Sequence, residues 1–189
     1  METSFFLADG VEECEALLVV DLLRRAGIKI QTVAVSDRED SAATRTIVSS
    51  HDVPITCDVH LRDYRLGDEK VLVIPGGKTG VANLKASVKL GEILRAQQER
   101  GGHLAAVCAG PTVLGKLGLL DGLKATVYPG FQDELGGAIY RDVAVISDGK
   151  VLSGRALGAS IDFCLELVKL LRDEPTAQEV AERICYERD

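Results

Sequence analysis

The chain of 189 residues carries a formal net charge of −7, which disfavours a sequence-independent grip on nucleic acid, because such binding rests on Lys and Arg neutralising phosphates. Apolar residues make up 46% and charged residues 27%; with no Pro/Gly/Ser-rich or charge-block linker to divide it, residues 1–189 read as one globular domain. The opening METSFFLADGVEE has no positive n-region and an apolar run of only three residues, so neither a secretory signal nor a membrane span is expected, and a cytoplasmic location is.

Ser4 to Leu7 is a short apolar run ending in Ala8-Asp9-Gly10, and Glu13 to Ala26 has helical periodicity closed by Gly27. Ile28 to Val35 alternates as a strand, which makes the opening a β-α-β unit. Val71 to Ile74 is continuously apolar and stopped by Pro75-Gly76-Gly77, the pattern of a strand buried on both faces. Ser87 to Arg100 reads as a helix, Leu104 to Val107 as another buried strand, and the stretch after Cys108 as a helix to about Leu117. Arg141 to Ile146 and Val151 to Ser153 flank the turn signal Asp148-Gly149 and read as a hairpin. Ala159 to Leu171 is an apolar helix, and a polar helix follows Pro175. Strands alternating with helices predict an α/β fold with a mostly parallel sheet between helices. In such folds ligands gather beyond the carboxyl ends of the strands. Three ends are chemically marked: Ala8-Asp9-Gly10, Pro75-Gly76-Gly77 and Cys108.

Cys14, Cys57, Cys108, Cys164 and Cys185 are odd in number and irregular in spacing, so a disulfide framework is not expected. Cys164 reads as core and Cys185 as exposed. For Cys108 the local sequence fits two readings equally. It is either a small buried hydrophobe ending a strand or a nucleophile lifted on a strand-turn-helix junction, with the amides and positive end of the following helix lowering its pKa. Glu15 bears on that choice. On a helical wheel it lies on the side of Val19, Leu22 and Ala26, opposite Asp21, Arg24 and Arg25, so a carboxyl is predicted to point inward and to be protonated or specifically paired. A carboxylate placed for the helix dipole is the alternative. Glu13, Cys14, Leu17 and Leu18 project outward on the same wheel, which predicts a covered surface and a homodimer through the first helix. Gly76 and Gly77 let backbone amides approach a ligand and could form an oxyanion hole with the amide of Ala109, although Pro-Gly-Gly also serves as an ordinary turn.

ADGVEECEA (8–16), VLVIPGG (71–77), AAVCAGPTVL (105–114) and VLSGRALGASIDF (151–163) resemble, in order and spacing, the motifs of the ThiJ/PfpI superfamily, in the branch of the parkinsonism-associated deglycase and bacterial YajL. The resemblance implies a flavodoxin-like three-layer sandwich, a homodimer and no cofactor. It matches the reactive cysteine to Cys108, a protonated glutamate to Glu15 and a glycine amide to Gly77. It implies glyoxalase or deglycase action on methylglyoxal-like aldehydes or glycated protein, with oxidative-stress sensing and chaperone activity as the alternative and a peptidase as a third.

Two positions depart from the pattern. A histidine often found near the cysteine is replaced in Thr126-Val127-Tyr128-Pro129, and Tyr128, with an ordinary pKa near 10, is a poor general base at neutral pH. A basic residue, often arginine, that contacts the partner subunit falls at His51. Arg155 matches an arginine of the pattern and fits either an anion site or a surface salt bridge. No metal site is expected: His51, Cys57 and His60 would bind an ion only if their loop folded back on itself. P-loop, dinucleotide, zincin and serine-hydrolase motifs do not occur.

Overall fold

The structure is a computed structural model and describes residues 1–36 and 45–187. β1 (Thr3–Leu7), β2 (Ile30–Ala34), β5 (Val59–His60), β6 (Val71–Ile74), β7 (His103–Val107), β10 (Val145–Asp148) and β11 (Val151–Gly154) form one seven-stranded sheet in the order β10-β11-β7-β6-β1-β2-β5. Every pairing is parallel except β10 with β11. β3 (Thr46–Val48) and β4 (Pro54–Thr56) make a small antiparallel pair, and β8 (Lys124–Ala125) and β9 (Ile139–Tyr140) a parallel one.

Alternation along the central strands divides the core in two. Phe5, Leu7, Val73 and Val107 face one layer with α1 (Glu13–Arg25), α5 (Ser160–Leu171) and α6 (Glu174–Arg183), burying Val19, Leu22, Phe163 and Val180. Phe6, Leu72, Ile74 and Ala106 face the other, with α2 (Lys78–Ala86), α3 (Val88–Glu99) and α4 (Pro111–Lys116), burying Leu84, Leu90, Leu94 and Val113. Phe5 and Phe6 are both fully buried, one on each face, because successive strand side chains point to opposite sides. Truncating either to alanine should cost roughly 3–5 kcal/mol. The three-layer, mostly parallel α/β sandwich predicted from the sequence is the one observed.

Chain progression reverses between β1 and β6: β2 lies on one side of β1, while β7 lies on the far side of β6. A crevice opens at such a switch point, beyond the carboxyl ends of the strands. Glu15 on α1, the Gly76-Gly77 turn after β6 and Cys108 after β7 all belong to that end.

Three local expectations are corrected. Residues 78–86, without a predicted element, form α2, whose end Ser87 is also the N-cap of α3 and accepts a hydrogen bond from the Leu90 amide. The hairpin's first strand begins at Val145 rather than Arg141, since pairing starts at Val145 with Gly154; the Arg141 amide instead donates to the carbonyl of Ala125. The strand read over Ile28 to Val35 pairs only over β2.

Candidate active site

α1 begins at Glu13 because Glu12 caps it: the Glu12 side chain accepts from the Glu15 amide at 2.6 Å, and the Glu12 amide donates to the Gly76 carbonyl at 3.2 Å. The cap fixes the start of the helix against the β6 turn and turns Glu15 inward with Ala16, Val19, Leu22 and Leu23. Glu15 is fully buried. Its Oε2 accepts from the Gly76 amide at 2.9 Å, while Oε1 is buried and has no hydrogen-bond partner among the described residues. A buried oxygen without a partner is costly unless it serves a ligand, a water or a proton.

Cys108 stands on a strained turn. Its φ is +59°, a left-handed conformation that side chains other than glycine adopt at a cost of about 1 kcal/mol or more. The strain is held from both sides: the Cys108 amide donates to Gly154 at 2.9 Å, and its carbonyl accepts from the Tyr128 amide at 2.9 Å. The Gly110 amide closes the turn on Val107 at 2.8 Å, and Pro111 stands in the first turn of α4. Between a buried-hydrophobe and a nucleophile reading, this geometry favours the second, because packing a small apolar group requires no positive φ.

Gly76 brings the two groups together. A Cβ built there would fall 2.5 Å from Cys108 Cβ, 2.8 Å from its Sγ and closer still to Glu15 Oε2, so thiol and carboxyl meet over a position that admits no side chain. Gly77 has φ +94°. The amides of Gly77 and Ala109 both favour the charged form of the Cys108 sulfur, so the two donors expected for an oxyanion hole lie beside the cysteine.

The electrostatics correct one expectation. Cys108 is not acidified: burial, then the charge of Glu15 and its hydrogen bond, push the thiol up to about 12 against the pull of the Ala109 and Gly77 amides. The helix that follows has only six residues and offers a weak dipole. Glu15 is raised to about 7, first by burial, against bonds from Cys108 and Gly76 that favour its charged form. Two of the causes lifting the thiol vanish when Glu15 carries the proton, so the pair titrates as one unit.

The other expected residues lie outside this contact. Tyr128 touches the site through its amide; its side chain is exposed, and its ring meets Phe131 edge-on at 6.2 Å. Arg155 pairs with Asp142 at 3.0 Å on the surface, the salt-bridge reading of the two weighed. His51 is bonded to Glu13 at 2.6 Å. His60 is buried and bonded to the Ser36 carbonyl and the Arg62 amide, and His103 begins β7, at the end remote from Cys108. None of the three histidines is bonded to Cys108 or Glu15. Cys57 and His60 are not among the described residues whose ligand atoms converge with those of His51. On α1, Cys14 and Leu17 are exposed and Leu18 is half-buried, as the wheel predicts, whereas Glu13 is tucked against Ser50 and His51. Cys164 is buried and Cys185 exposed. No helix among the described residues is long and apolar enough to cross a membrane. Sequence reasoning missed the Glu12 cap, because glutamate is not among the favoured N-cap residues.

Comparison with known proteins places these residues in a lineage. The model of the DJ-1/PfpI family matches residues 1–170. Protein dj-1beta of Drosophila melanogaster is 35% identical over 93% of this chain and 91% of its own length. A protein of Caenorhabditis elegans named glutathione-independent glyoxalase DJR-1.2 is 27% identical over 94% of this chain and 91% of its own. The crystal structure of a cysteine-to-alanine mutant of a DJ-1 superfamily protein from Salmonella typhimurium superposes with a TM-score of 0.92 at 32% identity, covering 99% of each chain.

Proposed function

This chain belongs to the DJ-1/PfpI family, and on that premise we propose that it is a cofactor-free cysteine enzyme acting on small reactive carbonyls of the methylglyoxal type or on their protein adducts. The observation that carries the reading is Cys108 held at positive φ against a buried, partly unpartnered Glu15. The Cys108 thiolate adds to the aldehyde carbon, forming the carbon–sulfur bond of a hemithioacetal. The amides of Gly77 and Ala109 move from sulfur toward the new oxyanion. Glu15 gives its proton to that oxygen, and the carboxylate so formed takes the proton from the former aldehyde carbon and returns it to the neighbouring carbonyl carbon, while the hydroxyl proton passes to the neighbouring oxygen. One carbon is oxidised to a thioester and the next is reduced to an alcohol. Water then cleaves the thioester, so methylglyoxal plus water becomes lactate, the thiol is regenerated and no external oxidant is needed. The relative named as a glyoxalase supports this reaction class, and the free thiols suit the cytoplasm as its setting.

Conversion of methylglyoxal to lactate by wild type and Cys108→Ala is the test. Loss of conversion in the variant is expected, and equal rates would overturn the reading. A second reading, a redox sensor or chaperone rather than a catalyst, is favoured by the lack of any histidine bonded to Cys108. It expects peroxide to add two oxygens to Cys108 and spare Cys14 and Cys185, with methylglyoxal left unconverted.

A further inference from the structure

Glu12 is bonded to both halves of the site. Its Oε2 accepts from the Glu15 amide at 2.6 Å, and its own amide donates to the Gly76 carbonyl at 3.2 Å. Within a trans peptide the carbonyl and the N–H that follows it point in opposite directions. Holding the Gly76 carbonyl toward α1 therefore aims the Gly77 N–H the other way, and that amide is one of the two that favour the charged form of Cys108. The fit is tight: at φ +94° a Cβ on Gly77 would lie 2.6 Å from the Glu12 nitrogen and 2.8 Å from the Val11 carbonyl carbon. A serine or asparagine would cap the helix at least as well without a charge, so the charge is what the glutamate adds.

We propose that Glu12 is a positioning residue for the carbonyl chemistry proposed above, holding Glu15 through one bond and the Gly76–Gly77 peptide through another, with its negative charge as part of the device. The role rests on that reading for its effect on turnover, while its geometry and charge are tested on the protein itself. The first-turn amides of α1 favour an ionised Glu15, and the Glu12 carboxylate answers them instead. Its charge also opposes loss of the Glu15 proton, in the same direction as burial. Among the described residues the titratable groups that act on Glu15 are Cys108, beyond β7, and Glu12; α2 and α5 add none, and the turn after β6 presents the Gly76 amide. On the same first turn, Glu13 is turned toward Ser50 and His51, and the Cys14 thiol is pushed up and so uncharged at neutral pH. Nothing in this role requires Glu12 to be open to solvent, so a second copy covering the outward face of α1 leaves it intact.

Two substitutions separate the bond from the charge, because Glu12→Gln keeps an acceptor for the Glu15 amide and loses the charge, whereas Glu12→Ala loses both. Alkylation of Cys108 by iodoacetamide is followed against pH by mass spectrometry of its peptide, with methylglyoxal conversion measured alongside. In Glu12→Gln the alkylation profile should move to lower pH by roughly half a unit. In Glu13→Gln, which removes a neighbouring charge that does not face Glu15, it should stay with wild type. In turnover, kcat at each protein's own pH optimum should remain within about 3-fold of wild type in Glu12→Gln and fall roughly 10-fold or more in Glu12→Ala, with KM little changed. Hydrogen exchange at the Glu15 amide should be as slow in Glu12→Gln as in wild type and faster in Glu12→Ala. A Glu12→Gln profile that coincides with wild type, or that Glu13→Gln reproduces, would overturn the proposal, as would wild-type kcat and wild-type Glu15 exchange in Glu12→Ala. If wild type converts no methylglyoxal, the proposed reaction falls, and the alkylation profiles with the Glu15 exchange decide by themselves whether Glu12 positions the pair.

Discussion

Glu15 and Cys108, remote in sequence, converge over Gly76 so closely that a methyl group there would strike the carboxylate oxygen, the cysteine Cβ and its sulfur at once. The cysteine Cβ is fixed by a backbone itself pinned at Gly154 and Tyr128, so the clash has no flexible neighbour to relieve it. Gly76→Ala should therefore lower stability by about 1–3 kcal/mol and abolish methylglyoxal conversion together. Thermal melts and the lactate assay check it; wild-type values in both would mean that the contact is looser than described.

The buried carboxyl also gives stability a pH dependence of definite sign. Glu15 is raised from 4.5 to about 7, so the folded chain keeps this proton to higher pH than the unfolded chain does. Its contribution is fully present below pH 4.5 and is lost as pH rises through about 7. At about 1.4 kcal/mol per tenfold change in proton affinity, the full effect is about 3 kcal/mol. Glu15→Gln, which never ionises, should be more stable than wild type at pH 8 by up to that amount, with the gap closing toward pH 4.5. Denaturant unfolding at several pH values measures it, and a constant difference would remove Glu15 as its source.

The exposed face of α1 is the surface on which the sequence predicts a partner contact. Leu17 is 50% exposed on the same face as Cys14, and a large apolar side chain so placed between charges is a candidate for burial against a second copy. We propose a homodimer through this face. Sedimentation should give twice the 20.2 kDa chain mass for wild type and a single chain mass for Leu17→Arg. A wild-type monomer would leave Leu17 an ordinary surface leucine.

Much of this was legible because burial leaves a periodic mark. Val71–Ile74 and the run before Cys108 read as two-sided strands since both faces are covered by helices, and Glu15 was placed inward by its spacing from Val19 and Leu22 alone. α2 was hidden because Gly76, Gly77 and Gly80 give its start the composition of a loop; Gly80 lies against the backbone of Gly10 and Val11, where no side chain fits. The direction of the Cys108 shift was not legible either. Helix position argued for acidity, but burial and the charge of Glu15 depend on how closely two distant segments pack.

The coupling of thiol and carboxyl predicts a crossing in reactivity. Above about pH 7 wild-type Glu15 is ionised, and its charge holds the Cys108 thiol up; Glu15→Gln carries no charge, so its thiol is the more acidic there. Below about pH 7 wild-type Glu15 is neutral and donates to the sulfur anion, a charge-assisted hydrogen bond stronger than one from an amide. Alkylation of Cys108 should therefore be faster in Glu15→Gln at pH 8.5, and faster in wild type at pH 6. Because Cys14 and Cys185 are also exposed, the rates must be resolved by site, with mass spectrometry of the Cys108 peptide. Parallel pH profiles in the two proteins would show that the carboxyl and the thiol titrate independently, and the proton transfer assigned to Glu15 would then need another carrier.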